Sequence, residues 1–372
     1  MFCPKLCRAA CPVSNAEANE TVTPWGKMSV AYFEARGDVP MDREHAATAW
    51  ACSGCFACRD MCKHENPVAT VLVEARAEAF GRGVAPEAAV AVAARWPERA
   101  RELTRAMDVI ATQTDTDRSA GTDVAVLVGC GYARRAEKVA RDAVSATRTL
   151  VGAKVRPVRA CCGLPLLYAG DREGFRAAAK VFASEVAKAP RVVVVDPGCA
   201  RTLTVEYSQI GVRLPKVDLF VDLAAAARDR LRALSAEELR EASGEADGGA
   251  AAAGESGATT RVRWHDPCQL GRGLGRFEEP RAVLERVASH VAGFQREKAA
   301  GECSGGGGLL PVTRPETSAA IAKERIAEHR RGGGGVLVTH CASSLHRFRS
   351  AGEPAADLAS LVARALGPKK AR

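Results

Sequence analysis

Aromatic residues are scarce, 5% of a 372-residue chain, and no basic block interleaves with them. That argues against a surface of stacked bases and phosphate contacts, although the formal net charge is +9. The arginines lie scattered among alanine and glutamate in helical stretches, the pattern of a solvated face. No nucleic-acid partner is expected. No apolar run reaches the roughly 18 residues of a membrane span. No apolar segment follows Met1, so a secretory signal peptide is not expected. A phosphate-cradling G-x-x-x-x-G-K-S/T loop is missing. Gly271-Arg272-Gly273-Leu274-Gly275-Arg276 fails the dinucleotide pattern, because its third glycine falls on Arg276 or Glu278. Cys55-Phe56-Ala57-Cys58 is followed by Arg59 rather than histidine, which excludes c-type haem.

What is present is cysteine. The 14 are Cys3, Cys7, Cys11, Cys52, Cys55, Cys58, Cys62, Cys130, Cys161, Cys162, Cys199, Cys268, Cys303 and Cys341. A chain of this length builds its own core and needs no disulfide staples. Without a leader, the expected compartment is the reducing cytoplasm, where clustered thiols bind metal or do redox work.

The expected fold class is α+β, in four parts. Residues 1–120 read as a helical ferredoxin-type domain, with apolar residues at helical spacing between 66 and 120. From residue 121, short β-branched runs alternate with helices, which implies a mainly parallel sheet. The runs are Val124–Val128, Arg191–Val195, Val262–Trp264 and Val336–Val338, with helices such as Ala133–Val151 and Arg172–Ala187 between them. Residues 236–260 turn acidic and then Ala/Gly/Ser-rich, and read as a flexible linker. It separates two α/β units, 121–235 and 261–372, that repeat each other. Each has a cysteine after a strand (Cys130, Cys268), a second group (Cys161-Cys162-Gly163, Cys303-Ser304-Gly305) and a third after another strand (Cys199, Cys341). Residue 162 precedes 199 by 37 positions, and residue 304 precedes 341 by 37. Loops at strand carboxyl ends are where open α/β sheets bind ligands.

Cys52-x2-Cys55-x2-Cys58-x3-Cys62 is the bacterial ferredoxin run, with Lys63 where proline usually follows. Three thiolates two residues apart hold one iron–sulfur cube, and the fourth reaches a second. Cys3-x3-Cys7-x3-Cys11-Pro12 supplies most of the matching motif. Two 4Fe–4S clusters are therefore expected, one on Cys11, Cys52, Cys55 and Cys58, the other on Cys3, Cys7 and Cys62, one ligand short. The missing cysteine would stand three places before Cys3, so the expectation is that translation starts upstream of Met1. Closed sets of four cysteines around zinc are the alternative. In the α/β units, Cys130, Cys161, Cys162 and Cys199 suffice for a further centre, and Cys268, Cys303 and Cys341 give three thiolates. Ser304 stands where Cys162 stands in the first unit. His265 and His340 lie near cysteines and read as packed or capping side chains, His64 as a surface or supporting one.

The doubled pattern, Cys130…Cys161-Cys162-Gly163…Pro197-Gly198-Cys199 and Cys268…Cys303-Ser304-Gly305…Cys341, behind a ferredoxin-type pair, resembles the CCG-domain iron–sulfur family. That family includes heterodisulfide reductase subunits and the iron–sulfur subunits of glycolate oxidase, lactate-oxidising and anaerobic glycerol-3-phosphate dehydrogenase complexes. The resemblance implies an electron-transfer subunit rather than a stand-alone enzyme. It would work beside an FAD-containing dehydrogenase subunit and pass electrons to a quinone, a membrane-associated acceptor or another carrier. A cytoplasmic chain, peripheral at the inner face of a membrane, is the corresponding location. Heterodisulfide reductase carries a further cysteine three places after the last of each unit, where this chain has Thr202 and Ser344. Catalytic disulfide reduction at Cys161-Cys162 is one rival reading. A regulatory, nucleic-acid-binding iron–sulfur protein is the other.

Overall fold

The computed structural model describes residues 3–116, 123–244 and 261–367. The N-terminal part is a set of short helices and loops leading into longer helices at Val68–Gly81, Glu87–Ala94 and Trp96–Gln113. Helix Pro24–Arg36 starts where Thr23 accepts a hydrogen bond from the Gly26 N–H and Pro24 fills the first turn. Trp50, Leu72, Ala85 and Ala89 make a small core here.

Two four-stranded sheets follow. The first contains β1 (Val124–Leu127), β2 (Val155–Pro157), β3 (Arg191–Val194) and β4 (Lys216–Leu219), in the order β2-β1-β3-β4. The second contains β5 (Arg261–Trp264), β6 (His290–Ala292), β7 (Val336–Thr339) and β8 (Ala355–Asp357), in the order β6-β5-β7-β8. Every pairing is parallel, and the two orders are the same. The fold is thus α+β with a repeated α/β unit. In each sheet the chain runs outward from its first strand, then crosses to the other side for its third. The loops leaving β1 and β3, and β5 and β7, therefore diverge at a switch point, where a crevice opens. Cys130 and Cys199 sit on the first pair of loops, Cys268 and Cys341 on the second. The outer strands of both sheets, VRP, KVDL, HVA and AAD, lack the β-branched runs of the inner ones.

Three expectations change. Residues 236–243, read as linker, form a helix (Ala236–Ser243). Ser235 and Glu238 make a reciprocal capping box, and Leu239 and Ala242 are buried. Residues 245–260 lie outside the described residues. The helix expected over 133–151 is two, Cys130–Arg135 and Glu137–Val151, because Ala136 leaves helical geometry at φ −149°. Helix Trp96–Gln113, assigned by sequence to the N-terminal part, places Leu103, Met107 and Ile110 in the core around the sheets.

A buried arginine ties the parts together. Arg76 lies on the same helix face as Leu72 and Ala79, all buried. Its guanidinium donates to the carbonyl oxygens of Ala49 (3.0 Å), Cys52 (2.8 Å), Tyr168 (3.3 Å) and Gly308 (3.1 Å). Arg76→Met should lower stability by at least about 2 kcal/mol, since each hydrogen bond to a charged group is worth roughly 1.5–3 kcal/mol and four are lost. A thermal melt superimposable on the parent's would contradict this role.

Candidate metal centres

Cys11 ends the short helix Cys7–Ala10 and precedes the proline that opens helix Pro12–Glu17. Cys52 and Cys55 lie on the loop before helix Ala57–Asp60, which contains Cys58. These four cysteines line one cavity walled by Pro12, Val13, Pro24 and Val68, with no carboxylate. Burial raises the Cys58 thiol well above its ordinary range, and the neighbouring Cys55, Cys52 and Cys11 raise it further. Two donors point at sulfur: the Gly54 N–H reaches Cys52 Sγ at 3.4 Å, and buried Lys27 Nζ reaches Cys11 Sγ at 3.6 Å. Lys27 also donates to the Ala51 carbonyl at 2.6 Å.

Cys7 is pushed up by burial and then by Cys3, Cys62 and Cys11. The structure thus brings Cys62 to Cys3 and Cys7, and Cys11 to the Cys52–Cys58 loop. His64 is exposed.

In the first α/β unit Cys162 Sγ donates to Cys199 Sγ at 3.4 Å, and Cys161 lies close enough to Cys130 and Cys162 to act on both thiols. That contact with Cys161, and then burial, raise the Cys130 thiol. The hydrogen bond from Cys162 favours the Cys199 thiolate, but burial together with Asp196, Cys130 and Cys161 raises the thiol to about 12.

The second unit is built differently. Cys303 packs in one buried cluster with Cys55 and Ala57 of the ferredoxin run, with Cys268 against it. Cys268 raises the Cys303 thiol, Cys55 lowers it and burial adds to the rise, so that it stands at about 11. The Gly305 N–H reaches Cys303 Sγ at 3.3 Å. Gly307 and Gly308 pass so close to the loop that an added Cβ would meet Ser53 O at 2.3 Å and Cys52 O at 2.2 Å, and Gly308 has φ +63°. Arg272 donates to Cys55 O at 2.6 Å and Gln269 to Gly54 O at 2.8 Å. Cys341 is pushed up to about 12 by burial and then by Asp196 of the first unit. Ser304 Oγ and Ser344 Oγ, in places where cysteine stands in related patterns, bond each other at 2.8 Å.

The two units face one another. Cys130, Cys162, Cys199, Cys268, Cys303 and Cys341 line a single cavity between them. Asp196 spans the seam, accepting from the N–H groups of Gly198 and Cys199 and from that of Ala342 at 3.0 Å. Tyr132 Oη donates to Asp357 across the same seam at 2.5 Å.

The histidines are packing residues. His340 pairs with Asp357 at 3.1 Å. His265 is buried against Phe348 and Ser344, and burial, then nearby Arg325, hold it down at about 3. The unfolded chain binds a proton there that the folded chain refuses, so this contribution is complete above about pH 6.5 and is lost as pH falls towards 3. Between pH 7 and 5, His265 should account for about 2 kcal/mol of lost stability. His265→Gln should flatten that part of the pH–stability curve, and identical slopes for the two proteins would refute the assignment.

Lys27, Arg272 and Asp196 were not legible as site residues in the sequence. Arg76 left one trace, an arginine at a core register of an apolar helix.

Among the described residues no three histidine, cysteine or carboxylate side chains converge on the point a single ion would occupy. The thiols of the first site instead surround a larger apolar chamber. Four sulfurs, no carboxylate and N–H groups aimed at sulfur are a donor set that fits a cubane rather than a hard cation. Together with the repeated parallel sheets, these features define the class: an iron–sulfur protein.

Known families carry the same pattern. Residues 1–66 match the 4Fe-4S dicluster domain, and residues 124–204 and 262–348 each match the cysteine-rich domain, CCG. The chain belongs to the CCG-domain iron–sulfur proteins. It is 23% identical over 344 residues to a fumarate reductase (CoM/CoB) subunit of Methanothermobacter marburgensis, covering 90% of this chain and 64% of that one. It is 32% identical over 118 residues to a dihydromethanophenazine:CoB–CoM heterodisulfide reductase subunit of Methanosarcina barkeri, 28% of each chain. A probable membrane-anchored ferredoxin of Chromohalobacter salexigens is 33% identical over 117 residues, 30% of this chain and 18% of that one. The chain spans less than two thirds of the length of these relatives. No helix among the described residues is long and apolar enough to cross a membrane.

Proposed function

We propose that the chain is an electron-transfer subunit of a larger reductase or dehydrogenase assembly. The observation that carries this is the buried packing of Cys55 against Cys303, which puts a cysteine of the ferredoxin run against the second cysteine-rich unit. Clusters held at these cysteines would take up and release single electrons. The residues would hold them as follows: Cys11, Cys52, Cys55 and Cys58 one cube; Cys3, Cys7 and Cys62 a second; Cys130, Cys161, Cys162 and Cys199 a further centre; and Cys268, Cys303 and Cys341 three thiols, of which Cys303 lies against the ferredoxin run. Lys27 and the backbone N–H groups stabilise the sulfur charge. An FAD-containing subunit is the proposed donor and a quinone or membrane-associated carrier the proposed acceptor, with the chain on the cytoplasmic face.

The test is anaerobic reconstitution followed by iron and sulfide counts and EPR. About eight irons correspond to the two N-terminal cubes, and more place a centre in the repeated units. Zinc without iron would overturn the reading.

A catalytic reading draws support from the cavity lined by cysteines of both units. It requires that the chain, supplied with reductant, turn over a disulfide and that Cys161→Ala abolish this. Cluster-loaded protein with no such turnover would eliminate it.

A further inference from the structure

A second cavity, of about 230 Å³, lies where the ferredoxin part meets the first cysteine-rich unit. It shares only Tyr168 with the cavity between the two units. Its apolar surface comes from Phe56 and Val73 on one side and Leu167, Tyr168, Phe175 and Ile210 on the other. Phe56 stands between Cys55 and Cys58, so the wall is part of the loop that presents the first set of thiols. A cavity this small takes one ring system and not a nucleotide-bearing cofactor, since sites for drug-sized ligands run from roughly 300 to 1,000 Å³.

Two features fix the chemistry of a ligand here. The first is that the charges on the wall cancel in pairs: Arg172 with Glu74, Arg201 with Glu206, and Arg176 with its helix neighbour Glu173 at 2.8 Å. The wall therefore has no spare charge for an ion of either sign and suits a neutral molecule. The second is Tyr168. Its carbonyl accepts from Trp50 Nε1 at 3.1 Å and from Arg76 at 3.3 Å, which pins the residue to the ferredoxin part. Its hydroxyl makes no hydrogen bond to any described residue. A Cβ added at Gly54 would stand 3.2 Å from that Oη, so the phenol lies over the loop between Cys52 and Cys55. A donor left unsatisfied in a half-enclosed site costs stability, and a ligand with an accepting oxygen restores it.

We infer that this cavity binds a quinone ring, flat, neutral and apolar, with Tyr168 Oη donating to one of its carbonyl oxygens and the ring lying against Phe56 and Phe175. The inference rests on the electron-transfer reading in making the bound molecule the acceptor, and it names where that acceptor sits. The quinone takes two electrons, one at a time, from the cluster at Cys11, Cys52, Cys55 and Cys58. It takes two protons from water at the rim beside exposed Gln209 and leaves as the quinol. Each transfer oxidises the cluster by one electron.

The experiment is anaerobic equilibrium dialysis of the full chain, with clusters reconstituted and oxidised, against two probes. One is 2,3-dimethyl-1,4-naphthoquinone, whose substituted ring does not add to thiols. The other is 2,3-dimethylnaphthalene, which has the same outline without the carbonyls. Tyr168→Phe should weaken the quinone by roughly two- to tenfold, the worth of one neutral hydrogen bond, and leave the hydrocarbon unchanged. Val73→Trp, which fills the slot, should weaken both by at least about tenfold, because the ring's apolar surface is no longer buried. Val181→Ser, exposed on the same helix as Phe175 and outside the cavity, should change neither. Unaltered quinone affinity in Tyr168→Phe overturns the inference. So does an equal loss of both probes there, since Tyr168 would then only shape an apolar hole. A Val73→Trp protein that binds as the parent does puts the quinone elsewhere and also overturns it. Iron and sulfide counts on the same samples test the electron-transfer reading separately: clusters without quinone binding sink this inference alone, and quinone binding by a chain that takes up no clusters sinks that reading alone.

Discussion

Cys58→Ala should strip about four irons and four sulfides from each reconstituted chain and remove one cluster's EPR signal. The expectation comes from where Cys58 stands. Three other cysteines, Cys55, Cys52 and Cys11, act on its thiol in an apolar chamber, so no exposed side chain or carboxylate is at hand to replace it. Metal binding there is also folding free energy, because the ligands must be brought together and deprotonated. Loss of the cluster should therefore lower the melting temperature of the reconstituted protein towards that of the iron-free chain. Iron and sulfide analysis decides the matter: an unchanged iron content would remove Cys58 from the ligand set and dissolve the proposed grouping of Cys11 with the second motif.

Lys27→Met should lower the midpoint potential of the cluster at Cys11, Cys52, Cys55 and Cys58, leaving its iron content intact. Lys27 is buried on helix Pro24–Arg36, 3.6 Å from Cys11 Sγ, and bonded to the Ala51 carbonyl. A positive charge beside the cluster favours the reduced, more negative state. At about 5 Å and an effective dielectric constant of about 20, one charge contributes roughly 3 kcal/mol, on the order of 100 mV for a one-electron couple. Methionine keeps the length and the apolar packing and removes the charge and the donor. Redox titration followed by EPR reads the shift directly. A potential within measurement error of the parent's would reduce Lys27 to a packing residue, whereas a downward shift confined to one of the two N-terminal signals would also locate that signal.

The parts that were legible in the chain are those set by local geometry. Two residues between cysteines, twice in succession, place three thiolates on one turn of loop and helix whatever surrounds them, so the ferredoxin run could be read as written. Alternation of β-branched runs with helices announced two parallel units, and the shared 37-residue spacing announced their repetition. The helix at Ala236–Ser243 was also written there, as Ser235-x-x-Glu238, but the Gly/Ala-rich stretch behind it masked a helix whose buried Leu239 and Ala242 find their partners only in the folded chain. The four outer strands lack the β-branched runs that mark the inner ones: they read VRP, KVDL, HVA and AAD.

The sequence by itself determined the chemistry of this protein: sulfur ligands, in sets and spacings that suit iron–sulfur cubes, on a fold with loops at strand ends. Only the tertiary structure decided which sets meet. Cys303 lies against Cys55 and beside Ser53, 250 positions away, Arg76 reaches Gly308 across 232 positions, and Asp196 binds Ala342 across the seam. Phe56, Tyr168 and Phe175 come to line one cavity only when the first unit packs on the ferredoxin part. The physical reason is that backbone geometry fixes neighbours over a few residues. Contacts between distant segments are fixed by which apolar faces bury together, and a buried lysine or arginine is chosen by the carbonyls and sulfurs that packing brings to it.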